Sequence, residues 1–167
     1  MNVSPLEELL AHRETVFRLC LGFARNYAEA EDLAQEVFLK AMAAVETLRD
    51  PGRSREWLLR IARNTCLDHG KQRRIRAMLL LRFAAEPVVE NAAAGIPADD
   101  VLASILRKAV ACLPKRLKDV FIMREYADLS YAEIGRSLGL KEGTVMSRLS
   151  RARDFVARKV KENAHAG

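Results

Sequence analysis

Apolar residues recur three and four positions apart along most of the chain, the period of helices that bury one face. Leu6, Leu9, Leu10, Val16, Phe17, Cys20, Ala24 and Tyr27 predict one long amphipathic helix. From near Ala28, the residues Leu33, Ala34, Val37, Phe38, Ala41, Val45 and Leu48 predict the inner face of a second, which Asp50-Pro51-Gly52 ends as a turn. A third begins near Ser54, an expected N-cap, with Trp57, Leu58, Ile61, Ala62, Thr65 and Cys66 inward. His69-Gly70 is expected to interrupt it before the basic cluster Lys71, Arg73, Arg74 and Arg76. Together these helices predict a small bundle over residues 1–76.

From 77 to 100 the period fails, and Pro87, Gly95 and Pro97 punctuate an Ala-rich stretch that reads as an interdomain linker. It carries an apolar cluster, Met78, Leu79, Leu80, Leu81 and Phe83. Two readings stay open: an extension of the third helix that packs back on its bundle, or a segment that docks in a partner's groove. Helical spacing resumes over 101–167, with Val101, Leu102, Ile105, Leu106, Ala109, Val110 and Leu113 on one helix. Pro114 sits at the next helix start, where its missing N–H costs nothing, and Leu117, Val120, Phe121 and Tyr126 follow.

The stretch from Asp128 to Arg153, DLSYAEIGRSLGLKEGTVMSRLSRAR, predicts two short helices joined by a tight turn. Ser130 and Glu133 have the spacing of a capping box, Ile134 and Leu138 face inward, and Gly139 supplies a left-handed helix end. The second helix buries Val145, Leu149, Ala152 and Val156 and leaves Thr144, Ser147, Arg148 and Arg151 outside. This is the layout of a helix-turn-helix, whose second helix enters the major groove of DNA. A plain helical hairpin with a solvated face has the same periodicity. The mixture of small hydroxyls with arginines, continued by Arg153, Arg158, Lys159 and Lys161, favours DNA.

Composition agrees with an all-α fold, two small helical domains joined by a linker. Half of the 167 residues are hydrophobic, enough for cores, but only 6% are aromatic and alternating β-branched runs are missing. The net charge of +6 suits a polyanionic partner. No apolar run reaches the ~20 residues of a membrane span and no signal-peptide pattern opens the chain, so a cytoplasmic protein is expected. Cys20, Cys66 and Cys112 are too scattered for a disulfide framework or zinc site and read as small buried hydrophobes; Cys66 and His69, one turn apart, are only a weak metal pair. With His12, His69 and His165 dispersed and no hydrolase or phosphate-loop motif present, no enzyme, cofactor or metal is expected.

Charge is unevenly spread. Glu29, Glu31, Asp32, Gln35 and Glu36 make an acidic outward strip on the second helix, either a solvated face or a contact for a basic protein surface. The third helix is opposite in sign, with Arg55, Arg60, Arg63, Lys71, Arg73, Arg74 and Arg76, and its density of charge favours backbone phosphates. Asn64 carries an amide able to read a base edge beside Arg60 and Arg63. Trp57 is either a base-stacking platform or core; its spacing with Ile61 favours core.

These segments, in this order, resemble the extracytoplasmic-function (ECF) sigma factors of bacterial RNA polymerase, over roughly Leu6 to Arg76 and Val101 to Val160. AEAEDLAQEVFLKA is similar to the family's polymerase-binding helix, and WLLRIARNTCLDHGKQRR to its −10 recognition and melting helix. The C-terminal segment from Leu113 to Arg153 is similar to its −35-binding domain. The resemblance implies that Asp32, Leu33, Gln35, Glu36 and Phe38 contact a coiled-coil region of the core polymerase. It implies −10 DNA contacts from Arg60, Arg63, Asn64, Lys71, Arg73 and Arg74, the loop Arg49 to Arg55 and Asn64 forming a pocket for a flipped base. It implies −35 contacts from Thr144, Ser147, Arg148, Arg151 and Arg153, and often an anti-sigma partner. Met146 stands where relatives often carry a basic residue, and Lys141-Glu142 replaces the usual start of the recognition helix. A stand-alone helix-turn-helix regulator is the rival; it should bind duplex DNA without polymerase, usually as a dimer.

Overall fold

The computed structural model describes residues 5–83 and 101–165, which fall in two compact units, Met1–Ile96 and Pro97–Gly167. No strand occurs among the described residues. In the first unit the order is α1 Pro5–Leu10, α2 Arg13–Phe23, α3 Tyr27–Ala43 and α4 Ser54–Phe83. The second holds α5 Val101–Ala111, α6 Lys115–Glu125, α7 Tyr131–Leu138 and α8 Glu142–His165.

The expected single first helix is two. A turn at Ala11-His12 separates α1 from α2, and His12 makes no side-chain cap. Of the three leading leucines only Leu9 is buried, while Leu6 and Leu10 are exposed. Val16, Leu19 and Cys20 then enter the core against α3 and α4. Tyr27, expected inward, lies half outside with its ring 5.0 Å from that of Phe17.

Asn26 caps α3, its side chain accepting from the Glu29 N–H at 2.8 Å. The helix buries Ala30, Leu33, Ala34, Val37 and Ala41, then ends at Ala43 rather than near Leu48. Short 3-10 turns, Val45–Thr47 and Pro51–Arg53, lead into α4, with the Asp50 carboxylate accepting from the Gly52 N–H at 3.0 Å.

Ser54 is not the expected cap. It is already helical and buried, and its hydroxyl donates to Glu8 Oε1 at 2.6 Å, tying the start of α4 to α1. Trp57 is 9% exposed and belongs to the core with Leu58, Leu59, Ala62, Thr65 and Cys66. Nor does Gly70 break the helix. A helical glycine costs only about 1 kcal/mol relative to alanine, and α4 runs through it to Phe83, well past Arg76. The apolar cluster therefore begins as helix, but Met78, Leu79 and Leu80 are exposed and do not pack back on the bundle. The rest of the expected linker, 84–100, lies outside the described residues.

In the second unit α8 is the spine, packed on α5, α6 and α7. Leu113, Val120, Phe121, Ile122, Met123, Leu129, Ile134, Val145, Leu149, Ala152 and Val156 form the core. Each of these side chains larger than alanine contributes about 1.5–3 kcal/mol by leaving water. Pro114 stands at the N-cap of α6, immediately before Lys115.

Candidate functional site

On α3, Asp32, Gln35, Glu36 and Leu39 are exposed. Their offsets of three, four and seven residues place them within roughly 60° of Asp32 about the helix axis. Lys40 Nζ contacts Glu36 Oε1 at 2.6 Å and donates to Thr65 Oγ1 at 3.4 Å, which fixes the Glu36 end of the strip against α4. Leu33 points away from this face. It is 3% exposed and serves the core, so the surface contact expected of it does not fit its position. Phe38 is half-buried on the flank. The residues missed by sequence reasoning are Leu39, 65% exposed, and Met42, 50% exposed, which add an apolar centre to the acidic strip. Their signal was an apolar side chain one turn beyond Gln35 on the polar side.

The basic residues of α4 divide into two sets. Arg60, Asn64, Lys71 and Arg74 are all exposed, and offsets of 4, 11 and 14 residues place them within roughly 40° of Arg60 about the helix axis. Lys71 contacts Asp68 at 3.2 Å, and the Arg74 Nε donates to the Gly70 carbonyl at 3.4 Å, both compatible with reaching a phosphate. Arg63 lies half-buried beside this stripe. Arg73 turns the other way: its Nη1 donates to Glu29 Oε1 at 3.0 Å, bridging α4 to the start of α3. His69 Nδ1 lies 3.4 Å from the same oxygen, and the Arg25 N–H donates to Glu29 Oε2. Glu29, counted above in the acidic strip, is thus the centre of a partly buried ion cluster, and Arg73 is engaged internally rather than presented to DNA. The turn from Arg49 to Arg53 is exposed, with Arg53 3.0 Å from Glu56.

Cys66 and His69 do not converge. The Cys66 thiol faces Cys20, and among the described residues no group of three or more His, Cys, Asp or Glu side chains is placed to hold a metal.

In the second unit the helix-turn-helix is built from local rules. The Ser130 Oγ accepts from the Glu133 N–H at 3.2 Å while the Glu133 carboxylate accepts from the Ser130 N–H at 2.8 Å, closing the capping box. Gly139 ends α7 with φ 65°. The Leu140 N–H donates to the Gly135 carbonyl at 2.8 Å. A Cβ at Gly135 would stand 2.7 Å from the Leu140 carbonyl oxygen, so the tight turn needs glycine there too, a constraint not read from the sequence. Upstream, Arg124 Nη1 donates to the Leu129 carbonyl at 2.9 Å, across a turn whose Asp128 has φ 52°.

On α8, Thr144, Ser147, Arg148 and Arg151 share a face roughly a third of a turn from the buried Val145, Leu149, Ala152 and Val156. Ser147 and Arg151 are exposed, Thr144 and Arg148 half-buried. Arg153 is nine residues beyond Thr144, half a turn away about the axis. Its Nη2 contacts Glu125 Oε1 at 2.6 Å, holding α8 to α6 and occupying the guanidinium that was expected on DNA. Met146, 55% exposed, also lies off the Thr144 face.

Comparison with known proteins follows the same division. The family profile Sigma-70 region 2 matches residues 9–75, and Sigma-70, region 4 matches residues 103–156. Over 161 residues the chain is 34% identical to the ECF RNA polymerase sigma factor SigE of Mycolicibacterium smegmatis, covering 93% of this chain and 62% of that protein. It is 32% identical over 142 residues to RNA polymerase sigma factor SigV of Bacillus subtilis, covering 84% of this chain and 81% of that protein. Among solved structures, the sigma factor RpoE in complex with the anti-sigma factor NepR from Bartonella quintana matches with a TM-score of 0.70 and 23% identity, over 93% of this chain and 95% of that one. CnrH in complex with the cytosolic domain of CnrY matches with a TM-score of 0.65 and 21% identity, over 92% and 85%. At these identities the structures show a shared fold.

Proposed function

The chain belongs to the ECF branch of the sigma-70 family, and on that premise we propose that it is a promoter-specificity subunit of bacterial RNA polymerase, binding the core enzyme, directing it to a particular promoter set and initiating transcription there. Residues 1–76 hold the polymerase and open the −10 DNA, 77–100 connect, and 101–167 dock on the −35 duplex. The protein itself does no catalysis and works in the cytoplasm. Strand opening draws on the binding free energy of single-stranded bases, and the polymerase transfers the nucleotides.

One observation carries this reading: two neighbouring helices of one unit bear faces of opposite character. The α3 face of Asp32, Gln35, Glu36 and Leu39 is unsuited to phosphates and fits a basic protein surface with an apolar spot. Phe38 borders it. The α4 stripe of Arg60, Asn64, Lys71 and Arg74, with Arg63 beside it, fits a nucleic-acid strand. On α8, Thr144, Ser147, Arg148 and Arg151 read or position the −35 element. A stand-alone regulator has no use for the α3 face. Because a relative of the same fold is held by an anti-sigma factor, a partner of that kind is part of the proposal, with the exposed Met78, Leu79 and Leu80 as apolar ground for it.

The test is co-elution with core polymerase. The chain should form a stoichiometric complex, and Gln35→Ala combined with Glu36→Lys should weaken it at least tenfold without loss of helicity. Absence of a complex with the unaltered chain contradicts the proposal.

A further inference from the structure

The packing of α2 against α4 sets two cysteine sulfurs against each other. Cys20 and Cys66, 46 positions apart in sequence, lie with Sγ atoms 3.8 Å apart, and both residues are buried. The third cysteine, Cys112, is exposed in the other unit. None of the polymerase or DNA faces uses the pair: Cys66 lies on the core side of α4, away from Arg60 and Asn64.

Two thiols in van der Waals contact on different helices need a closure of only about 1.8 Å to reach disulfide bonding distance. We propose that Cys20 and Cys66 are a latent redox cross-link, which an added peroxide converts to an intramolecular disulfide pinning α2 to α4. The balance is simple. On opening of the contact, the Cys66 sulfur, as thiolate, attacks one peroxide oxygen; the O–O bond breaks, leaving Cys66 as a sulfenic acid and hydroxide, which takes up the thiol proton to become water. The Cys20 sulfur then attacks the Cys66 sulfur, the S–O bond breaks, and the departing hydroxide takes the Cys20 proton as a second water. Two thiols are oxidised and one peroxide is reduced.

Burial also sets the rate. Donation of the Cys66 S–H to Cys20, together with desolvation, pushes the Cys66 thiol far above the usual range, so little thiolate exists while the core is closed. Reaction waits on separation of α2 from α4. The cross-link is therefore slow in the native protein and, once made, inaccessible to small reductants until the same opening occurs.

The experiment uses the full chain carrying Cys112→Ser, which leaves the pair intact and removes the exposed thiol. After incubation with hydrogen peroxide, denaturation and alkylation, a mass loss of two hydrogens and a Cys20–Cys66 cross-linked peptide are expected, both reversed by dithiothreitol after unfolding. Cys66→Ala in the same background should abolish the cross-link. In the unaltered chain, Cys112 should be alkylated at least tenfold faster than either buried cysteine. Recovery of both thiols as free, or oxidation of each separately to sulfinic acid with no cross-linked peptide, overturns the proposal. So does a cross-link found only between molecules.

Discussion

Arg73 reaches across the first unit to Glu29, 44 positions away, and donates to its Oε1 at 3.0 Å. The pair is partly buried, and the Glu29 carboxylate also lies at the N-terminus of α3, where negative charge is favoured. A residue that belongs by sequence to a nucleic-acid stripe is thus a strut between two helices. Arg73→Ala should lower unfolding free energy by about 1–2 kcal/mol, between the ranges for exposed and buried pairs. Arg74→Ala, on the exposed stripe, should change stability by less than about 0.5 kcal/mol while weakening −10 DNA binding. Urea denaturation of the two variants separates strut from contact. Equal stability losses would remove the distinction.

Two glycines of helices should respond in opposite directions. At Gly135 an added Cβ meets the Leu140 carbonyl oxygen at 2.7 Å, a backbone atom that cannot yield without opening the turn. Gly135→Ala should cost about 2–4 kcal/mol. At Gly70 nothing lies within 4 Å, so Gly70→Ala should stabilise by about 0.5–1 kcal/mol through helix propensity. Thermal melts of both variants check the pair.

How much of this could be read from the chain depends on range. Period and capping chemistry located the helix-turn-helix down to Ser130, Glu133 and Gly139, because those interactions close within a few residues. The turn at Ala11-His12 was hidden, since apolar spacing continues through it from Leu9 to Val16. The fates of Ser54, Arg73 and Arg153 were hidden for another reason: each is decided by a partner on a different helix, Glu8, Glu29 and Glu125. A basic residue in a basic run gives no local sign of being spent internally. Leu33 is the converse: its apolar period placed it on the inner face, where it lies, while the resemblance implied a surface contact that its burial does not fit.

Within α8, the two arginines 151 and 153 should separate by role. Arg151→Ala should weaken −35 recognition by about 1–3 kcal/mol, the worth of a good base contact. Arg153 is paired with Glu125 at 2.6 Å on an exposed surface, so its replacement should spare promoter choice. A double-mutant cycle on Glu125 and Arg153 should give a coupling of about 0.2–1 kcal/mol that fades with salt. Loss of promoter discrimination in Arg153→Ala would return that residue to the DNA face.

Stability should also depend on pH through His12. Burial, followed by the positive charge of Arg55, holds its pKa below the usual histidine value, with Glu8 opposing. Protons therefore bind the unfolded chain more readily. The stabilising contribution is complete above about pH 6.5 and is lost as pH falls through the lowered folded value. Denaturation at pH 7.5 and 5.5 should show a drop that His12→Gln reduces. An unchanged drop would assign the dependence to other groups.

On the proposed function, this helix-turn-helix should read promoters in the company of polymerase and poorly alone. The most direct measurement is binding and transcription on a genomic promoter fragment, with the purified chain in the presence and absence of core enzyme at physiological salt. The chain alone should bind DNA weakly and without sequence preference. With core enzyme added, a salt-resistant promoter complex and a discrete run-off transcript should form, both lost with Gln35→Ala combined with Glu36→Lys. Tight, sequence-specific binding by the isolated chain, with no transcript when core enzyme is supplied, would contradict the proposed function.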